Sequence, residues 1–200
     1  MIRRILSLVL LAAGIAAAES RLVLLIGPPG SGKSTQSAFL QQKYGFGVIA
    51  SEDLISANPQ EFNKRKASGV DNIEPHSDPV LNKLVKEKLA STDLSKGIVL
   101  DGYPATKDHA DYLAGLVKEA TLPLPAIIWL DVSDDVVRKR LLKRKAPGDT
   151  PEKIEDRLKD FHREMDMIQV YFPNAKIHKI DATKKPGTVS RRIQEILDKG

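Results

Sequence analysis

Short apolar segments recur along the chain, and each is followed by a polar or glycine-rich turn. Continuous apolar runs of this length are typical of strands buried in a parallel sheet. The segments predicted as strands are 22–26, 48–50, 97–100, 126–132 and 176–180.

Longer segments with apolar residues three and four positions apart lie between these strands and predict helices. Ser51 and Thr150 are predicted as helix caps, and either Ser77 or Asp78 is predicted to cap the helix that begins at Pro79. The alternation of strands and helices predicts an α/β fold, with a parallel sheet covered by helices on both faces. Helices are predicted over 33–44, 51–57, 59–69, 79–90, 106–120, 134–144, 150–172 and 189–197.

The N-terminal segment has the three-part pattern of a secretory signal peptide. Arg3 and Arg4 precede an apolar run, and small residues at Ala16 and Ala18 provide a cleavage site. The apolar run is shorter than the roughly 20 residues that a membrane span needs. We therefore expect cleavage after residue 18, a mature domain over 19–200, no stable membrane insertion after cleavage, and a periplasmic or secreted location. The alternatives are an uncleaved anchor, or a misassigned start codon and a cytoplasmic protein.

The composition of the chain limits the kinds of site and partner that it can have. The 200 residues fit a single domain. There is no cysteine, which excludes disulfides, thiolate zinc sites and a cysteine nucleophile. The formal net charge is +5, but aromatic residues make up only 5% and no basic stripe interleaves with them. Nucleic acid is therefore not an expected partner.

Residues 27–35, GPPGSGKST, match the pattern G-x-x-x-x-G-K-[ST] between a predicted strand and a predicted helix. In this phosphate loop, glycines let backbone N–H groups turn toward phosphates, and the following helix directs its positive end at the same anions. Lys33 can reach the β- and γ-phosphates of a nucleotide, most simply ATP. The predicted ATP-binding residues of the loop are Gly27, Pro28, Gly30, Ser31, Gly32, Lys33, Ser34 and Thr35.

Two oxygen donors are predicted to hold Mg²⁺ together with ATP. The hydroxyl of Ser34 is the usual ligand from a phosphate loop. Asp101 ends a predicted strand, at the sheet edge where ligands bind in open α/β folds. A carboxylate there can hold the metal directly or through water. The alternative for Asp101 is a turn or helix-capping role.

The phosphate loop, the DGYP segment at 101–104 and the arginine-rich helix before the D-T-P-E segment at 149–152 together resemble the adenylate kinase family, over about residues 21–197. The resemblance implies a P-loop NTPase-type core, a helical monophosphate-binding insert over about 51–90, a short lid over about 144–150, and a monomer. It also implies transfer of the γ-phosphoryl group of Mg-ATP to a nucleoside monophosphate.

On the ATP side, the resemblance implies roles for three arginines. Arg140 would lie against the adenine, Arg144 would reach phosphate, and Arg157 would close over the transferred group. Lys185 falls in a segment that resembles the family's adenine-contacting loop. Lys33, Arg144 and Arg157 are the predicted catalytic residues, because phosphoryl transfer depends on positioning and positive charge rather than on a protein nucleophile. The alternative for Arg140, Arg144 and Arg157 is that they lie on a solvated helix face and form ion pairs with residues one turn away.

The acceptor side departs from the family pattern. The family segment T-G-D-x-x-R is here S-E-D-L-I-S at 51–56, and DG[FY]PR is here DGYPA, so two family arginines are replaced by Ser56 and Ala105. The glutamine that usually reads the adenine of AMP in this family is here His109, which either contacts a base or is an ordinary surface histidine. The predicted substrate-binding residues are Ser51, Asp53, Gly102, Tyr103 and His109.

These replacements leave the function open at the acceptor. An arginine–phosphate contact is worth about 1.5–3 kcal/mol, so losing two could cost roughly 3–6 kcal/mol and make AMP a poor acceptor. Lys64, Arg65 and Lys66 could replace the lost charge, or form a solvated charge run. We therefore expect a nucleoside monophosphate kinase with AMP or an altered acceptor. The alternatives are a non-catalytic ATP-binding module and a kinase of another small molecule.

Overall fold

The structure, a computed structural model, describes residues 21–67, 75, 78–146 and 148–199. The predicted signal peptide, residues 1–18, lies outside the described residues.

A parallel sheet forms the centre of the fold, in the strand order β2-β3-β1-β4-β5. Every neighbouring pair of strands is parallel, as the sequence analysis predicted. The strand bounds differ from the predicted ones by one or two residues at most. The strands are β1 (Leu22–Ile26), β2 (Gly47–Ala50), β3 (Ile98–Asp101), β4 (Ala126–Asp131) and β5 (Ile177–Asp181).

Helices connect the strands and cover the sheet. The long helix that Thr150 caps is confirmed, because the Thr150 side chain accepts a hydrogen bond from the Lys153 N–H at 3.4 Å. The described helices are α1 (Lys33–Tyr44), α2 (Ser51–Ala57), α3 (Pro59–Ala67), α4 (Val80–Ala90), α5 (Lys107–Lys118), α6 (Asp134–Arg144), α7 (Pro151–Tyr171) and α8 (Pro186–Leu197).

Side chains of β1 point alternately into two hydrophobic cores, one on each face of the sheet. Val23 and Leu25 pack with residues from α1, α6 and α8. Leu22, Leu24 and Ile26 pack with residues from α4, α5 and the second half of α7. Burial on both faces explains why the strand has no polar position. The predicted α/β class, with helices on both faces, is confirmed.

The start of α2 differs from the prediction. Ser51 is the first residue of the helix rather than its cap, and the N-cap position belongs to Ala50. The Ser51 hydroxyl instead donates to the carbonyl oxygen of Asp101 at 3.4 Å. The hydroxyl therefore ties α2 to the end of β3 and is not used to satisfy the helix terminus.

The predicted cap of the next insert helix is corrected as well, because its N-cap position belongs to Pro79 and not to Ser77 or Asp78. Helix α4 begins at Val80, and the Val80 N–H donates to Oδ1 of Asp78 at 2.8 Å. Ser77, the other predicted cap, lies outside the described residues. The helices α2, α3 and α4 occupy the range predicted as a monophosphate-binding insert, and that role stays a prediction.

The register of the sheet brings three functional segments together. Asp101 at the end of β3 is paired with Leu25 of β1 on one side and with Ala50 of β2 on the other. The phosphate loop follows β1, and α2 follows β2 directly. Because parallel strands end at the same edge, the loop, the start of α2 and the segment after Asp101 lie side by side.

Candidate active site

A cleft of about 710 Å³ opens at this carboxyl edge of the sheet. It lies between the phosphate loop, the start of α2, the segment 101–105, and the arginines of α6 and α7. Among the described residues, Pro28, Ser31, Tyr103, His109 and Lys185 are predicted site residues that do not line it. The predicted site residues that do line it are Gly27, Gly30, Gly32, Lys33, Ser34, Thr35, Ser51, Asp53, Asp101, Gly102, Arg140, Arg144 and Arg157.

Two glycines of the phosphate loop are required by its geometry. Gly32 has φ of 100°, in the left-handed region, and occupies the N-cap position of α1. At Gly27, a Cβ atom would lie 3.0 Å from the carbonyl oxygen of Leu130 in β4. A Cβ atom at Gly27 would also lie 2.7 Å from Oγ of Ser31, so a side chain there would crowd both neighbours, and one at Gly32 would be strained. The loop therefore needs glycine at both positions to pass beside β4 and enter the helix.

Lys33 folds back along the loop. Its Nζ donates to the carbonyl oxygens of Gly27 at 2.8 Å and Pro28 at 3.3 Å. Burial lowers the pKa of Lys33, and the carboxylates of Asp101 and Glu52 oppose that change. A phosphate oxygen in the loop would add negative charge beside the ammonium and so oppose this lowering of the pKa. Lys33 is thus placed to meet the anionic end of a nucleotide.

Asp101 and Ser34 form a pair of oxygen donors beside Lys33. Burial raises the pKa of Asp101, while hydrogen bonds from the side chains of Ser37 and Ser34 and the charge on Lys33 act in the opposite direction. Carboxylate and hydroxyl oxygens suit Mg²⁺, which takes its remaining ligands from phosphates and water. The two residues therefore fit the predicted metal, and the buried carboxylate would gain a partner for its charge.

Ser37 is a site residue that the sequence analysis missed. Its Oγ is buried, 2.8 Å from Oδ2 of Asp101 and 3.1 Å from the carbonyl oxygen of Lys33. Ser37 lies one helical turn after Lys33 and therefore on the same face of α1. That i+4 spacing is the signal that could have identified it. Its hydroxyl orients the carboxylate of Asp101 toward the cleft.

Asp149 joins the two predicted phosphate-binding arginines. The sequence analysis used its D-T-P-E segment for the family resemblance but assigned no role to the Asp149 side chain. Its carboxylate accepts from Nε of Arg144 at 2.7 Å and from Nη2 of the same guanidinium at 2.8 Å. Nη1 of Arg157 lies 3.5 Å from the carboxylate. The Arg144 hydrogen bonds are the main reason that the pKa of Asp149 is lowered. One buried anion thus holds both arginines at the cleft.

Arg140 bridges the phosphate loop and the loop after β5. Its Nη1 donates to the carbonyl oxygen of Gly30 at 3.3 Å, and its Nη2 donates to that of Ala182 at 2.8 Å. This position agrees with the predicted adenine side of the cleft, and the adenine contact itself stays a prediction. Lys185, the N-cap residue of α8, is exposed and lies outside the cleft lining.

The structure corrects the prediction for His109. The residue is neither at the surface nor in the cleft, and its side chain is 0% exposed. Nε2 lies 3.0 Å from the carbonyl oxygen of Asp78, and Nδ1 accepts from the Ala105 N–H at 3.4 Å. With both ring nitrogens engaged in the protein, His109 has none to offer a base. Its helix face also carries the buried Leu113, and this amphipathic face turns His109 into the core.

Tyr103 is corrected in the same way. It is 0% exposed, its hydroxyl donates to Oδ1 of Asn82 at 2.6 Å, and its ring stacks on His109 with centroids 5.0 Å apart. Of the segment 101–105, every residue except Tyr103 lines the cleft. Tyr103 and His109 therefore fix the segment 101–105 against α4 and α5 without touching a ligand in the cleft.

The acceptor half of the cleft is defined here as the lining residues of α2 and of the segment after Asp101. Ala105 lines the cleft, while Ser56 is exposed on α2. Among the described lining residues of this half there is no cation. Lys64 is exposed and pairs with Glu61 at 3.5 Å, which agrees with a solvated charge. The structure does not describe the side chains of Arg65 and Lys66. The acceptor-half residues are Ser51, Glu52, Asp53, Ile55, Gly102, Pro104 and Ala105.

Comparison with known proteins agrees with this architecture. Residues 25–177 match the sequence profile of a family described as adenylate kinase. An adenylate kinase of Micrococcus luteus is 35% identical over 183 residues, covering 88% of this chain and 89% of that protein. One of Corynebacterium glutamicum is 35% identical over 184 residues, covering 90% and 99%. One of Mesorhizobium japonicum is 31% identical over 189 residues, covering 88% and 96%.

The family match begins within β1 and ends at the start of β5, so it spans the phosphate loop and both halves of the cleft. The chain therefore belongs to the adenylate kinase family, as an adenylate-kinase-like nucleoside monophosphate kinase.

Proposed function

We propose that the chain moves the γ-phosphoryl group of Mg-ATP to a nucleoside monophosphate, with AMP as a weak acceptor or with an altered acceptor. The observation that carries this proposal is the convergence of Lys33, Arg144 and Arg157 with Asp101 on one cleft at the carboxyl edge of the sheet. Groups from four separate elements meet there around a space of the size that nucleotides need.

The donor half would bind the triphosphate through backbone and side-chain groups. The N–H groups of the phosphate loop and the start of α1 would surround the β- and γ-phosphates. Lys33 would exchange its present loop carbonyls for phosphate oxygens. Mg²⁺, held by Ser34 and Asp101, would neutralise part of the phosphate charge.

Arg144 and Arg157 would place positive charge on the transferred group. Asp149 holds Arg144 through two hydrogen bonds, which leaves other N–H donors of that guanidinium for phosphate. Ordering the arginines before ATP binds reduces the entropy lost on reaching the transition state. Catalysis would then consist of positioning the transferred phosphoryl group and stabilising the negative charge on its oxygens.

The proposal of a weak or altered acceptor rests on the acceptor half. The family arginines are replaced by Ser56 and Ala105, and the described lining residues of this half include carboxylates at Glu52 and Asp53. An incoming phosphate would meet negative charge there instead of two guanidinium groups. Its affinity must then come from the nucleoside part and from cations of the donor half.

The deciding experiment is ADP formation by the purified protein with Mg-ATP and a panel of nucleoside monophosphates. We expect Mg-dependent transfer to at least one of them, above hydrolysis of ATP alone. ATP affinity is measured in parallel by calorimetry. ATP binding without transfer to any monophosphate would contradict the proposal and support a non-catalytic ATP-binding module.

We also propose that residues 1–18 are a signal peptide and that the mature protein is periplasmic or secreted. In the described ranges, no helix combines the length and apolarity needed to cross a bilayer. Intact-mass analysis of the native protein tests the cleavage, because a terminus at Met1 would contradict it. We propose a monomer on the family resemblance, which light scattering of the purified protein tests.

A further inference from the structure

Glu52 introduces a carboxylate into the cleft where the family segment T-G-D-x-x-R has glycine. It is the second residue of α2, its side chain is exposed, and it lines the cleft. Helix α2 begins at Ser51, directly after β2, and Ala50 at the end of β2 is paired with Asp101. The pairing of β2 with β3 therefore places Glu52 at the same sheet edge as Asp101, on the acceptor side of the cleft.

Charged groups on both sides of the cleft interact with Glu52. It acts on Lys33 of the phosphate loop and on Asp101, although burial is the larger influence on the pKa of each. It also acts on Arg144 across the cleft, where Asp149 is the main cause of the raised pKa. Since Lys33, Asp101, Arg144 and Glu52 all line the same cleft, the Glu52 carboxylate shares that space with the groups proposed to hold the transferred phosphate.

We propose that Glu52 is a specificity-determining residue that weakens binding of the acceptor's phosphate, and so raises the KM for AMP above the value that an uncharged residue would give. This inference rests on the proposed function of the same cleft. A monophosphate near neutral pH carries between one and two negative charges, and a carboxylate nearby repels it. Glycine at this position would add neither that charge nor a side chain to the acceptor half.

The surroundings of Glu52 do not cancel its charge within the acceptor half. Asp53 follows it in sequence and adds a second carboxylate to the lining. Two cations interact with Glu52, namely Lys33 and Arg144. Both belong to the donor half, and we expect ATP to engage them. Once ATP is bound, these two cations neutralise less of the Glu52 charge. The repulsion between Glu52 and an acceptor phosphate is then stronger, so Glu52 affects the binding of the acceptor.

The test uses the full protein and measures AMP affinity by calorimetry together with KM and kcat for AMP and for ATP. Glu52→Gln removes the charge at nearly constant size, and Glu52→Gly also removes the side chain. Glu87→Gln is the matched control, because Glu87 is an exposed residue of α4 outside the cleft lining. We expect Glu52→Gln to lower the Kd and KM for AMP by about tenfold, and Glu52→Gly by at least as much.

Ionic strength gives a second readout that a merely structural role would not move. Repulsion between exposed charges weakens as salt rises from about 0.05 M to about 0.5 M. The ratio of AMP affinity between Glu52→Gln and the wild type should therefore shrink with salt, with KM for ATP and the melting temperature nearly unchanged. AMP affinities within twofold of wild type in both Glu52 variants would overturn the inference. Absence of ADP formation, with AMP Kd still lowered in the variants, would instead contradict the proposed function alone.

Discussion

The donor and acceptor halves of the cleft share one sheet edge and differ in how their charges are held. In the donor half, Lys33 is bonded to loop carbonyls, Arg140 to two backbone carbonyls, and Arg144 to a buried carboxylate. In the acceptor half, Glu52 and Asp53 are exposed on α2. These donor residues are thus part of the fold's own hydrogen-bond network, whereas the side chains of Glu52 and Asp53 can change with little effect on packing.

The largest expected effect is loss of the donor lysine. Lys33→Ala should lower kcat by about 10²–10³-fold, because it removes a preorganised cation from the developing phosphoryl charge. A coupled assay of ADP formation at saturating ATP measures this. Lys43→Ala, at the exposed end of the same helix, is the control and should retain wild-type activity. A Lys33 variant with more than a tenth of wild-type kcat would contradict the donor role.

Restoring the family arginines should make the two halves more alike. The double variant Ser56→Arg and Ala105→Arg is expected to raise kcat/KM for AMP by at least about tenfold, since each arginine–phosphate contact contributes about 1.5–3 kcal/mol. Steady-state kinetics with AMP and with ATP separate the two substrates. Ser95→Arg, in an exposed turn, is the charge control. No gain for AMP would show that these positions do not face the acceptor.

The arginine anchor is tested by Asp149→Asn. Losing the charge-assisted pair with Arg144 should reduce kcat by roughly 5–10-fold and stability by about 1–3 kcal/mol, measured by denaturant unfolding. Asp156→Asn, on the exposed face of α7, is the control and should change neither quantity appreciably.

This pair also predicts a pH dependence. Hydrogen bonds from Arg144 lower the pKa of Asp149 in the folded state, so its contribution to stability is present above the unfolded value of about 3.9 and is lost as pH falls through the folded value. The stability difference between wild type and Asp149→Asn should be constant near neutral pH and shrink below about pH 4. A difference that persists unchanged at low pH would argue against a charged pair.

The smallest expected effect concerns His109. His109→Gln places the family residue at this position, yet KM for AMP should change by less than about twofold, because the side chain is buried away from the cleft. Thermal unfolding should show the main effect, a destabilisation of about 1–2 kcal/mol from disturbed packing and hydrogen bonds. A large and AMP-specific shift in KM, without such destabilisation, would restore His109 as a base contact.

Patterns in the sequence by themselves determined the fold class and the donor loop. Strand and helix periodicity are local properties, so the strands and the helix from Thr150 were predicted to within one or two residues. The phosphate loop was predictable because its chemistry is carried by consecutive residues. The spacing from Lys33 to Ser37 was also local, and this signal was available but not used.

Tertiary packing alone decided the rest of the site. Asp149 meets Arg144 and Arg157 only because the end of α6 and the start of α7 come together, and periodicity carries no information about that contact. His109 is in the core because α5 packs that face inward. Glu52 lines the same cleft as the donor groups because α2 follows β2 directly and β2 ends beside β3. Side-chain partners across elements depend on how the elements pack, which a single sequence specifies only through the complete fold.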